Sequence, residues 1–187
     1  MFIENALKAK SQFLRYLLGS LIIIIVNVIA QAPFGIAVAL KLGPENLQGK
    51  SQTELLTVLD SNLNFLLLMI PFAVSLLVLF MVIKHIHAQS LVSITTARPK
   101  IDWNRIRFSF LLLAFLIIIS TAVEFAISPE SFVLNFKGVP FLILFVLAIV
   151  LVPFQTSLEE YLFRGYLMQG LGVLAKNRWV PLIFTST

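Results

Sequence analysis

Glu159, Glu160 and Arg164 are the residues whose types and spacing can do chemistry. They stand in Ser157-Leu-Glu-Glu-Tyr-Leu-Phe-Arg-Gly-Tyr-Leu-Met-Gln-Gly-Leu171, hard against an apolar run long enough to lie in a membrane. An isolated charge at membrane depth costs between about 2.5 and 17 kcal/mol, depending on how it is measured. Three ionisable groups placed together there must be paired, hydrated or used. On a helix over 156–174, Thr156 or Ser157 is placed to cap the N-terminus. Both glutamates then fall in the first turn, where the helix dipole favours negative charge. Glu160 and Arg164 are spaced i,i+4 and share a face, so they can pair. Glu159 is turned about 100° away from Glu160, which leaves it without an obvious local partner. A partly desolvated carboxylate in that position can act as a general base on water. Tyr161, Leu162, Phe163 and Tyr166 supply an apolar wall. The residues alone leave two readings open, a structural ion pair at a capped helix start and a reactive site.

The elements that must position this cluster are membrane spans. The chain has 187 residues, of which 59% are hydrophobic and 12% charged. Soluble domains carry roughly 25% charged residues, so the composition implies an integral membrane protein. Apolar segments over 16–40, 63–86, 108–127 and 139–155 approach or exceed the roughly 20 residues that cross a bilayer core. The fold class expected is all-α, a polytopic transmembrane helical bundle of about four complete spans and the start of a fifth at Trp179–Thr187. The whole chain reads as one membrane domain. Asn27, Gln31 and Pro33 interrupt the first span, marking a kink or its end, and Pro71 falls inside the second. A short interfacial helix is expected around Thr53–Leu59. There is no internal repeat, and so no sign of the paired broken helices of a transporter.

Charge gives a sidedness. Lys8, Lys10 and Arg15 precede the first span, and Lys84, Arg98, Lys100, Arg105 and Arg107 flank the loop after the second. Lys176 and Arg178 follow the fourth, whereas the intervening loops hold only Lys41, Lys50 and Lys137. The positive-inside rule then puts the N-terminus and the Glu-Glu segment on the cytoplasmic side. The N-terminus lacks the features of a removable signal peptide, so the first span reads as a retained anchor, and without a eukaryotic-style targeting signal the expected location is a bacterial cytoplasmic membrane. The net charge of +5 reads as orientation signal and phospholipid contact, so the partner is the lipid bilayer and not nucleic acid. With no cysteine, disulfides and cysteine–metal sites are excluded. His85 and His87, the two histidines, read as interfacial polar residues at a helix end. They are too few for a metal site, and i,i+2 side chains do not share a helix face. Glu124, late in the third span, reads as an interface residue before a partner for Arg164.

Glu159-Glu160-Tyr161-Leu162-Phe163-Arg164-Gly165-Tyr166-Leu167 resembles the first motif, Glu-Glu-x-x-x-Arg, of the CAAX-protease and bacteriocin-processing (CPBP, or Abi) family of intramembrane proteases. The Phe-Arg-Gly-x-Leu continuation makes the match more specific than the bare motif. The resemblance implies a polar cavity within a helical membrane fold, and peptide-bond hydrolysis by a glutamate-activated water. It implies Glu159 as the general base, Glu160 as a second site carboxylate and Arg164 as the residue that orients the pair. Histidines from later helices complete such a site. A divalent metal such as zinc and a metal-free glutamate/histidine mechanism are both described for the family, so the cofactor stays open.

The second motif of that family, Phe-x-x-x-His, and a third histidine motif lie downstream of the first. If Phe184 opens the second motif, its histidine falls one residue past Thr187. The expectation is therefore a glutamate-dependent intramembrane endopeptidase acting on a membrane-associated peptide or protein substrate, inactive as this truncated chain. The alternative is a non-catalytic membrane protein of the same type, serving bacteriocin self-immunity or partner binding.

Overall fold

Apolar side chains dictate helices here, because a segment in lipid must satisfy its own backbone polar groups. The computed structural model describes residues 12–46, 49–96, 98 and 100–175. Among them there is no strand. Four helical stretches are long and apolar enough to cross a membrane: Phe13–Leu42, Ser61–Ile86, Trp103–Ile127 and Gly138–Ala175. The all-α bundle of four spans expected from composition is what the chain forms. The expected start of a fifth span, 179–187, lies outside the described residues.

The first span is α1 (Phe13–Ala30) and α2 (Ala32–Leu42), separated at Gln31. Pro33 has no N–H and occupies the first turn of α2, which explains the break. The short helix α3 (Gln52–Leu56) is held by a capping box, with Glu54 N–H donating to the Ser51 hydroxyl and Ser51 N–H to the Glu54 carboxylate. The second span is α4 (Ser61–Met81), continued by a π-helical turn over Val82–Ile86. It starts two residues earlier than the apolar run because the Asp60 side chain accepts from Asn62 N–H at 3.0 Å. After the one-turn helix α5 (Leu91–Thr95), the third span is α6 (Trp103–Ile127). Asp102 caps it and pairs with Arg98 and Arg105, so the helix reaches back into what reads in the sequence as a basic loop.

The fourth span contains the largest departure from expectation. Helix α7 runs from Gly138 to Glu159, passes into a π-helical segment over Glu160–Leu167 and continues as α8 (Met168–Ala175). No helix starts at Thr156. Its hydroxyl instead donates back to the carbonyls of Val152 and Pro153 inside the continuous helix. The expected N-cap and the favourable dipole on Glu159 and Glu160 are therefore absent. Pro153 suggests a helix break in the sequence, but a membrane helix tolerates an internal proline.

The core lies where the first, second and fourth spans meet. The second and fourth spans run parallel: Asn62 Nδ2 donates to the Pro140 carbonyl near one end, and the Phe80 ring meets Tyr161 toward the other. Asn27 Nδ2 donates to the Ser75 hydroxyl at 3.0 Å, joining the first span to the second. Such interhelical bonds contribute about 0.6–2 kcal/mol in a membrane. The third span contributes no buried residue.

Candidate functional site

The π-helical segment presents two opposed faces. Outward, Arg164 Nη1 lies 3.0 Å from Glu160 Oε1 and 3.1 Å from Oε2. The i,i+4 pairing expected from the sequence forms, with the side chains 58% and 66% exposed. Glu159, the last residue of α7, is also exposed and makes no ion pair among the described residues. Its Oε1 has Gln155 Nε2 at 3.5 Å, the outer limit of a hydrogen bond. The structure thus brings Glu160 and Arg164 together and leaves Glu159 beside them, one position round the helix. Glu124 is exposed on the third span, away from any ion pair among the described residues.

Inward, the segment is anchored by Tyr166, which is 1% exposed. Its hydroxyl lies 3.0 Å from His87 Nε2 and 3.3 Å from the carbonyls of Arg15 and Tyr16. A tyrosine hydroxyl has one proton, and both carbonyls can only accept. The Tyr166 hydroxyl is placed to donate to the carbonyls, and its role toward His87 Nε2 follows the tautomer of that ring. Arg15 Nη1 closes the junction by donating to the Ile86 carbonyl at 3.0 Å. Below it, Gln89 Nε2 donates to Gln169 Oε1 at 3.1 Å, both side chains being buried.

Two expectations are refined here. His87 ends the helix as expected but is buried, 1% exposed, with its ring centroid 4.2 Å from that of Tyr16 and tilted to it. His85 does lie exposed at the helix end, as the i,i+2 spacing requires. The apolar wall also divides. Tyr166 turns inward to a polar junction, Tyr161 meets the Thr95 hydroxyl at 3.0 Å, and Phe163 is half exposed. Sequence reading missed Tyr16, Gln89 and Gln169 altogether. Tyr16 and Gln169 carried a signal, since polar side chains within apolar spans need partners from neighbouring helices, whereas Gln89 lies in the connection after the second span.

Close helix approach at this junction depends on two glycines. A Cβ on Gly19 would overlap the Tyr166 hydroxyl and come within 2.7 Å of Val82 Cγ1. A Cβ on Gly170 would come within 2.9 Å of the Tyr16 ring. Each tyrosine fills the space left by a glycine on the partner helix, the small-residue packing by which membrane helices come together.

The described residues contain no group of three His, Cys, Asp or Glu side chains that could hold a metal ion. His87 meets Tyr166, and His85 is exposed at the end of the second span. The zinc site implied by the motif therefore does not fit the described residues by themselves.

Over 94 residues, half of this chain, the sequence is 39% identical to Uncharacterized protein YyaK of Bacillus subtilis (strain 168). The match takes in 30% of that protein, so the chain spans about a third of the length of the relative it matches. No family model and no solved structure matches.

Proposed function

We propose that Glu159, Glu160 and Arg164 form the carboxylate half of a glutamate-dependent intramembrane endopeptidase of the CAAX-protease-like type. The observation that supports this reading is the division of labour between the carboxylates. Glu160 is bound to Arg164 at 3.0 Å, while Glu159 beside it has no cationic partner among the described residues. In the proposed reaction a water oxygen attacks the carbonyl carbon of a membrane-associated peptide or protein substrate. Glu159 takes the water proton and passes it to the departing amide nitrogen as the C–N bond breaks. Arg164 holds Glu160 and keeps the local charge from accumulating. No step is assigned to a metal or to a histidine. The bilayer is a bacterial cytoplasmic membrane, with the N-terminus and the Glu-Glu segment toward the cytoplasm.

The test is cleavage of a membrane-anchored fluorogenic peptide by the protein expressed from its natural coding frame. Glu159→Gln should lower kcat at least about 100-fold, the usual contribution of a general base, with yield and thermal midpoint unchanged. Activity retained in Glu159→Gln overturns the assignment of the base.

A second reading has an observation of its own. The Glu160–Arg164 pair is more than half exposed and open to an approaching molecule. That favours a non-catalytic role for these residues, in bacteriocin self-immunity or partner binding. Under it, Glu159→Gln and wild type behave alike in the cleavage assay, and charge reversal at Arg164 weakens partner capture.

A further inference from the structure

We propose that the groove between the end of the second span and α5 binds an anionic phospholipid, independently of the hydrolase reading. The groove encloses about 930 Å³. Leu77, Met81 and His85 recur every four residues and Lys84 lies three beyond Met81, so they form a stripe along one face of the span. The stripe is apolar within the span and basic at its end. Leu91 and Val92 on α5 form the opposite apolar wall.

The backbone shapes this groove by departing from regular geometry. The second span widens into its π-helical turn at Val82–Ile86, and Ala88 adopts a φ of +52°, a conformation in which a residue with a Cβ is strained. That turn folds α5 back beside the span. Strained backbone gathers at binding sites more often than elsewhere.

Chemistry selects the occupant. No acidic residue lines the groove, and Lys84 makes no ion pair among the described residues. Two cationic or protonatable side chains at one end and alkyl walls at the other match a phosphate head with acyl chains. An extended peptide is a poorer fit, because the wall is helical and its backbone groups are already paired. The polar floor is also committed, with Gln89 bonded to Gln169 and the Ser90 hydroxyl capping α5. Arg98, Lys100, Arg105 and Arg107 follow in the adjoining loop and the start of α6, adding positive potential at the same membrane face.

The experiment places a reporter in the groove of the full chain. Met81→Trp, in a background where Trp103 and Trp179 are replaced by phenylalanine, is reconstituted in phosphatidylcholine vesicles. Its quenching by brominated phosphatidylglycerol is compared with that by brominated phosphatidylcholine at equal mole fraction. Phosphatidylglycerol should be preferred about fivefold or more, the factor expected for one cation near a lipid phosphate. Lys84→Gln with His85→Gln should bring the preference close to one. A reporter at Leu113 on the exposed third span should show none in either background. The proposal is overturned by equal preference at positions 81 and 113 or by preference that survives the double substitution. Quenching by neither lipid at position 81 also overturns it, since the groove is then filled by protein.

Discussion

The two faces of the segment Glu160–Leu167 differ in almost everything except their backbone. Glu160 and Arg164 are more than half exposed and touch each other. Tyr166, two residues on, is buried and joins three spans through His87 and the start of the first helix. The exposed face holds residues that chemistry can use, and the buried face holds what fixes their direction. A carboxylate pair on a single helix has no orientation until that helix is rotationally locked. The reciprocal packing of Tyr166 on Gly19 and Tyr16 on Gly170 supplies the lock.

The most severe way to break the contrast is Gly19→Val. Its side chain would occupy the space of the Tyr166 hydroxyl and press on Val82. Overpacking at a site with no room costs about 1–3 kcal/mol, and a β-branched residue here should lie at the upper end. Unfolding in detergent micelles should show that loss, and Glu160→Gln should not.

Next in size is Tyr166→Phe, which removes the hydroxyl that meets His87 Nε2 and the carbonyls of Arg15 and Tyr16 in a buried site. A buried polar group stripped of its partner costs about 1–3 kcal/mol. Tyr16→Phe is the matched control. The Tyr16 hydroxyl is buried and finds no hydrogen-bond partner among the described residues, so its removal should be neutral or slightly stabilising. Opposite signs for two buried tyrosines 5.0 Å apart would isolate the hydrogen bond from ring packing. Equal losses would show that only packing matters.

The extent to which the fold and site were legible follows from the same division. Span number, approximate limits and the Glu160–Arg164 pair depend on local composition and i,i+4 spacing, so they can be read along the chain. The break at Pro33 was visible as an interruption, and the start at Ser61 needed only recognition that Asp60 can cap. His87 was not legible, because its environment comes from Tyr16 and Tyr166, 71 and 79 residues away. Thr156 and Ser157 misled for another reason. They are good capping residues, but a cap is needed only where a helix begins, and the fourth span continues through them.

On the exposed face, Arg164→Gln should change stability little, because an ion pair this open contributes about 0–1 kcal/mol in water. Its larger effect should be on cleavage, where Glu160 is left uncompensated beside Glu159. Stability unchanged with activity lost would sharpen the contrast between the faces. A large loss of both would place Arg164 in the packing and blur it.

The smallest expected effect is also the one that separates a continuous helix from a capped start. Replacing an N-cap threonine or serine by alanine costs about 1 kcal/mol. A threonine in a helix interior that bonds back to its own i−4 carbonyl slightly destabilises the helix, and alanine has the higher helix propensity. Thr156→Ala should therefore leave stability unchanged or raise it by a few tenths of a kcal/mol, and Ser157→Ala should do the same. A loss near 1 kcal/mol at either position would mean that a helix does begin there. Glu159 and Glu160 would then sit at a positive helix end, and the carboxylate face would owe its arrangement to the dipole instead of to the Tyr166 anchor.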